Sequence, residues 1–230
     1  MTKRKLKRDT RATSTTMVRE HPLAVRVSKK NPTGKTIRDR HIRRLPGTDL
    51  DKNQILEVAE KYSRKSLIYP SSRKLLDKYK NSDEYDDLIA VWIDYFSKKF
   101  GVKQPLDPDS VKALIASESG FQEDPKGNKI AIGITQITKK TLKILLDSKG
   151  EAKEFIFREI RQKDLKNPEI AIPLAVRWLY RKQETARSKL GRQPSDEETI
   201  LEYKGWLKGK SVLKEKGLRN YREHYEALKK

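Results

Sequence analysis

A mostly α-helical protein, one globular unit behind a basic N-terminal arm, is the fold this sequence predicts. Three observations carry that reading. Apolar residues recur at a period near 3.6 in successive segments from about residue 49 onward. Cap residues and glycines bracket those segments. Internal repeats and convincing strand or hairpin patterns are absent.

Residues 1–48 hold the turn signals "HP", "NPTG" and "LPG" among scattered aliphatics, which reads as a partly disordered arm. Asp49 or Asp51 caps a first helix carrying Ile55, Leu56, Ala59 and Tyr62. "SSRKLLDKYK" reads as a second, short helix. "SDEYDDLIAVWIDYFSKKFG" is a third, with acids early, lysines late and Gly101 at its end, as the helix dipole favours. Pro108 opens the next helix, with Leu114 and Ile115 on an apolar face, and Gly120 closes it. A loop over 121–134 leads to a helix around "TKKTLKILLDS". Asn167 and Pro168 start a long helix that runs to Gly191, with Pro173 expected to kink its early part. Ser195 and Glu198 form a capping box for the following helix, and a last one covers about 218–229. The division is an arm at 1–48, a helical extension at 49–104 and a main domain at 105–230.

The longest apolar run, "LIAVWI" at 88–93, is far too short to span a bilayer. The basic N-terminus lacks an apolar core and does not read as an ordinary secretory signal. With no cysteine there is no thiol nucleophile and no zinc–thiolate site. His21, His41 and His224 show no metal-ligand spacing, so no metal and no cofactor are expected. The net charge of +21, of which residues 1–50 supply +11, favours polyanionic partners: nucleic acid, anionic lipid or an acidic wall polymer.

One acid stands out by its position. Glu118 lies in the last turn of the helix ending at Gly120, where the helix dipole disfavours a negative charge. That placement suits a carboxyl group meant to carry a proton. Ser119 and Phe121 follow it, then Ala131, Gly133, Gln136 and Ile137, with Gly133 fifteen and Gln136 eighteen residues beyond the acid. This block resembles the soluble lytic transglycosylase family, the goose-type-lysozyme-like enzymes that cut bacterial peptidoglycan. "NPEIAIPLAVRWL" is similar to a later family helix, with Asn167, Pro168, Ile172, Trp178 and Leu179 fitting or nearly fitting and Ala171 and Ala175 departing from it. "EYKGW" resembles the family's Tyr-Asn-x-Gly segment, with Tyr203 at the tyrosine and Lys204 where Asn is usual. "RNYREHY" places Tyr221 at the closing tyrosine, so the resemblance covers about residues 107–228.

The resemblance implies a lysozyme-like catalytic domain and a peptidoglycan-degrading muramidase, a lytic transglycosylase or a hydrolase. Glu118 would be its catalytic acid, then base, in cleaving the bond between N-acetylmuramic acid and N-acetylglucosamine. Burial and the helix C-terminus would keep that acid protonated near neutral pH. Ser119, Gly133, Gln136, Tyr203 and Tyr221 would shape the substrate site. Glu123 and Asp124, in the loop after the acid, are read as solvated turn residues. Lys204 puts a cation in or near the groove, which leaves open a glycan- or wall-binding homologue that does not cut. A basic nucleic-acid binder ranks third, because no aromatic interleaving accompanies the charge. The partners expected are peptidoglycan strands and, for a phage-released or secretion-delivered enzyme acting in the periplasm or wall, an immunity or delivery partner. Wall peptides and attached polymers carry the carboxylates and phosphates that suit a positive surface.

Overall fold

The computed structural model describes residues 49–61, 67, 69–125, 130–208 and 212–230, and the backbone of 15–18, 21–24, 35–38 and 41–44. Among these, seven α-helices build one hydrophobic core that runs from Leu50 to Leu228. They are α1 (Lys52–Lys61), α2 (Asp86–Phe100), α3 (Pro108–Ser119), α4 (Lys139–Leu146), α5 (Pro168–Leu190), α6 (Asp196–Tyr203) and α7 (Val212–Lys229). No helix of the described residues is long and apolar enough to cross a membrane.

The arm departs from the sequence reading. Strand β1 (Thr15–Val18) pairs with β4 (His41–Arg44), and β2 (His21–Ala24) with β3 (Lys35–Arg38), all antiparallel. Opposed residues share one register in both pairs (Thr15 with Arg44, His21 with Arg38, each pair summing to 59). Strict alternation is missing from "TTMV", "HPLA", "KTIR" and "HIRR", so the pattern gave no strand signal although β-branched residues are frequent there. The expected disorder of the rest of the arm lies outside the described residues, as does Tyr62.

The helix predicted over 71–80 does not form either. Its backbone donors are taken from outside: Ser72 N–H donates to Asp109 at 3.0 Å and Leu76 N–H to Ser82 Oγ at 3.0 Å. Arg73 sits at φ 57°, a left-handed conformation that no α-helix accommodates.

Helix α1 starts where Asp51 and Gln54 cap one another, each side chain accepting from the other's backbone N–H at 2.9–3.0 Å. Asp49 instead pairs with Arg158 at 2.6 Å. Helix α5 is the central rod, buried on all sides from Ile170 to Tyr180, and it packs against α1, α2 and α6. It stays one helix through Pro173. Phe96 of α2 meets Phe155 edge to face at 5.2 Å, at the centre of an aromatic cluster.

Asp107 caps α3 by accepting from Asp109 N–H at 3.0 Å, and Gly120 ends it at φ 59°. Helix α3 is buried all round from Pro108 to Ala116, where the sequence suggested only one apolar face. Helix α7 covers it, beginning six residues before the predicted start. Gly217 falls inside it, and the Trp206 ring rests there: a Cβ would stand 2.5 Å from the ring.

Asp196, first residue of α6, accepts from Asp107 N–H at 3.2 Å and so ties α6 to the start of α3. Burial, then the charge of Asp107, pushes its carboxyl up to about 6. The folded state therefore holds this proton more tightly than the unfolded chain. The stabilisation is complete below about pH 4 and is lost as pH rises through about 6. Asp196→Asn keeps an acceptor without a charge. It is expected to be about 2–3 kcal/mol more stable than wild type at pH 7, a gain that disappears toward pH 4 in denaturant titrations.

Candidate active site

The last turn of α3 brings Glu118 to a junction of three elements: α3 itself, the hairpin of β5 (Ala131–Ile132) and β6 (Ile137–Thr138), and the end of α6. Ser119 makes the first connection. Its hydroxyl donates to Ile134 O at 2.7 Å and accepts from Phe121 N–H at 3.1 Å, which pins the hairpin to the helix end.

Gly133 and Gln136 form the turn of that hairpin. Gly133 sits at φ 73°, and a Cβ there would fall 1.9 Å from Leu165 O. Gly133→Ala is accordingly expected to cost about 1–3 kcal/mol of stability, read as a lowered denaturation midpoint. Gln136, itself at φ 51° and buried, donates Nε2–H to Gly133 O at 2.8 Å and so closes the turn. Tyr203, from the last turn of α6, donates its hydroxyl to Thr135 O at 2.9 Å. Burial, then the nearby charge of Glu118, pushes its phenol well above the ordinary range.

Tyr221 is not brought to this junction. It is 1 % exposed, shares a hydrogen bond with Ser110 Oγ at 2.7 Å and stacks on Tyr225, which makes it part of the α3–α7 packing. Glu123 and Asp124 are exposed, and Asp124 pairs with Lys166 at 2.7 Å on the surface.

The surroundings of Glu118 differ from the dry apolar pocket the sequence suggested. Its side chain is 21 % exposed and in direct contact with Lys204, whose ammonium donates to Glu118 Oε1. Lys204 is itself 8 % exposed, donates to Ser117 Oγ at 3.3 Å and lies 5.5 Å from the centre of the Trp206 ring. The sequence put a cation near the groove; the fold puts it on the acid.

A cleft of about 660 Å³ lies beyond Trp206, lined by Trp206, Lys216, Gly217, Arg219, Asn220 and Glu223. Glu118 does not line it. The link runs through Trp206, beside Lys204, and through Asn220, whose Nδ2 donates to Ser117 O at 3.5 Å. Ser117, Trp206 and Asn220 were not singled out in the sequence. A tryptophan straight after "KG" was the one signal the sequence offered.

The arrangement offers one carboxyl group on a helix end, hydrogen-bonded scaffolding on its hairpin side and, reached through Lys204 and Trp206, a cleft of about 660 Å³. A family model described as Transglycosylase SLT domain matches residues 95–207, a span that contains Glu118, Ser119, Gly133, Gln136, Tyr203 and Lys204. It ends before α7, which supplies most of the cleft lining. No curated protein and no solved structure matches the chain.

Proposed function

Because residues 95–207 belong to the soluble lytic transglycosylase family, whose domains act on cell-wall peptidoglycan, we propose that this chain cuts peptidoglycan glycan strands with Glu118 as its acid and base. The carrying observation is the position of Glu118. It sits in the last turn of a helix buried from Pro108 to Ala116, locked to the neighbouring hairpin through Ser119, and is joined through Lys204 and Ser117 to Trp206 and Asn220, which line a cleft of about 660 Å³.

In the reaction this supports, the Glu118 carboxyl gives its proton to the oxygen bridging N-acetylmuramic acid and N-acetylglucosamine. The C1–O bond breaks as positive charge builds on C1. The muramoyl C6 hydroxyl then attacks C1, and its proton returns to the Glu118 carboxylate. A 1,6-anhydro ring forms and no water is consumed. Ser119, Gly133, Gln136 and Tyr203 act at one remove, by fixing the hairpin against which Glu118 is held.

A second reading has a specific observation behind it. The Lys204 ammonium occupies Glu118 Oε1, an oxygen that would otherwise face a glycosidic bond. The Glu118–Lys204 pair thus suits a protein that grips the wall without cutting it. Incubation with purified peptidoglycan and mass spectrometry of the soluble fraction separates the readings. Products one water lighter than reducing muropeptides support the transglycosylase, and reducing muropeptides a hydrolase. Wall binding with nothing released from wild type supports the binder.

A further inference from the structure

We propose that Lys204 makes cleavage depend on an acidic substituent of the glycan, which draws the ammonium off Glu118 as the strand enters the cleft. The inference rests on the reading of Glu118 as the acid. It concerns what unlocks that acid.

Lys204 closes off α6 and is engaged by Glu118 Oε1, Ser117 Oγ and the face of Trp206. It is too deeply set to be a stray surface lysine. It is also held by neighbours of unequal strength, a charged oxygen against a hydroxyl and a ring face. A lysine ammonium is a point charge on a flexible four-carbon stem, so it can exchange one anionic partner for another without moving its backbone. The Trp206 ring can hold the ammonium on the way, since an aromatic face attracts a cation.

The cleft supplies the reason for an anion to arrive. Lys216 and Arg219 line it against one acid, Glu223, and Trp206 provides a flat apolar surface between them and Lys204. Trp206 is fixed from behind, its ring lying against the backbone of α7 at Gly217, so the surface does not depend on the substrate to form. A sugar ring lying on Trp206 would carry its substituents toward Lys216 and Arg219 on one side and toward Lys204 on the other. An uncharged glycan fills the same cleft but leaves the ion pair intact.

The exchange balances. Before binding, Glu118 and Lys204 neutralise each other and the substrate carries one negative charge. Afterwards the ammonium pairs with the substrate, and Glu118 takes one proton from solvent. That proton is the one delivered to the glycosidic oxygen. The recognised chemistry is an anionic oxygen group, either a carboxylate of the wall peptide or a phosphate of an attached polymer.

The test uses the full chain on three preparations of one wall: untreated, with carboxyl groups amidated by carbodiimide and ammonia, and with phosphodiester-linked polymers removed by hydrofluoric acid. Wild type is expected to lose about tenfold in rate on the amidated wall if the anion is a carboxylate, or on the acid-treated wall if it is a phosphate. Lys204→Asn is expected to cut all three walls at rates within about twofold of one another. That variant also controls for bulk attraction to the chain's charge of +21, since it changes that charge by one. Should it fail to fold, Lys204→Gln takes its place. Wild type indifferent to both treatments overturns the proposal, and so does a Lys204→Asn enzyme that loses as much as wild type. A wild type that cuts none of the walls overturns the assignment of Glu118 as well, an outcome separate from the other two.

Discussion

Glu118→Gln is expected to lower the rate of glycan release about 10²–10⁴-fold while leaving the fold intact. The substitution is close to isosteric. Its amide keeps an oxygen to accept from the Lys204 ammonium, and the carboxylate it removes lies in the final helical turn, where the dipole did not favour the charge. Ser119, rather than Glu118, ties the helix to the hairpin, so the scaffold survives the change. What is lost is the ability to give and reclaim a proton, and both halves of the proposed reaction need it. Release of soluble muropeptides from purified wall is the measurement, with far-ultraviolet circular dichroism to show the helices retained. A variant that keeps more than about a tenth of the wild-type rate removes Glu118 from the chemistry.

The features legible in the sequence were those decided within a few residues. Pro108 and Gly120 bound α3 as expected, and the Ser195–Glu198 box caps α6 with bonds of 3.1 and 2.8 Å. The turn joining Gly133 to Gln136 is likewise local. Illegible were features made by contacts distant along the chain. The stretch 71–76 looked helical by period, but Asp109, Lys112 and Ser82 take its backbone groups. Nothing in "KALIASES" or in "EYKGW" alone announces that Glu118 and Lys204, 86 residues apart, will touch. Tyr221 illustrates the same limit: its motif suggested a groove, and the packing of α7 on α3 placed it in the core.

The largest effect on stability is expected from a lysine that the helical pattern left unremarked. Lys112 of α3 is fully buried, 0 % exposed, and so nearly is Asp86 at the start of α2. The ammonium lies 2.8 Å from Asp86 Oδ1 and donates to Oδ2 at 2.9 Å and to Lys74 O at 2.7 Å. It thereby joins α2, α3 and the irregular stretch around residue 74. Burial pushes the Asp86 carboxyl upward, outweighing the hydrogen bond and charge of Lys112 that pull it down, so this ion pair is expensive to keep dry. Lys112→Met fills the space but strands that carboxyl, and is expected to cost about 3–5 kcal/mol in denaturant unfolding. Adding Asp86→Leu should restore much of the loss, because two apolar side chains need no partner in the interior. The restoration will be incomplete: Lys74 O loses its donor, and α2 loses a favourable negative charge at its N-terminus, each about 1 kcal/mol. If the single variant costs under about 1 kcal/mol, water reaches the pair and the interior there is not dry. If it costs the expected amount and the double variant recovers none of it, the ammonium's bond to Lys74 O holds the stretch against α3, and the charge pair is secondary.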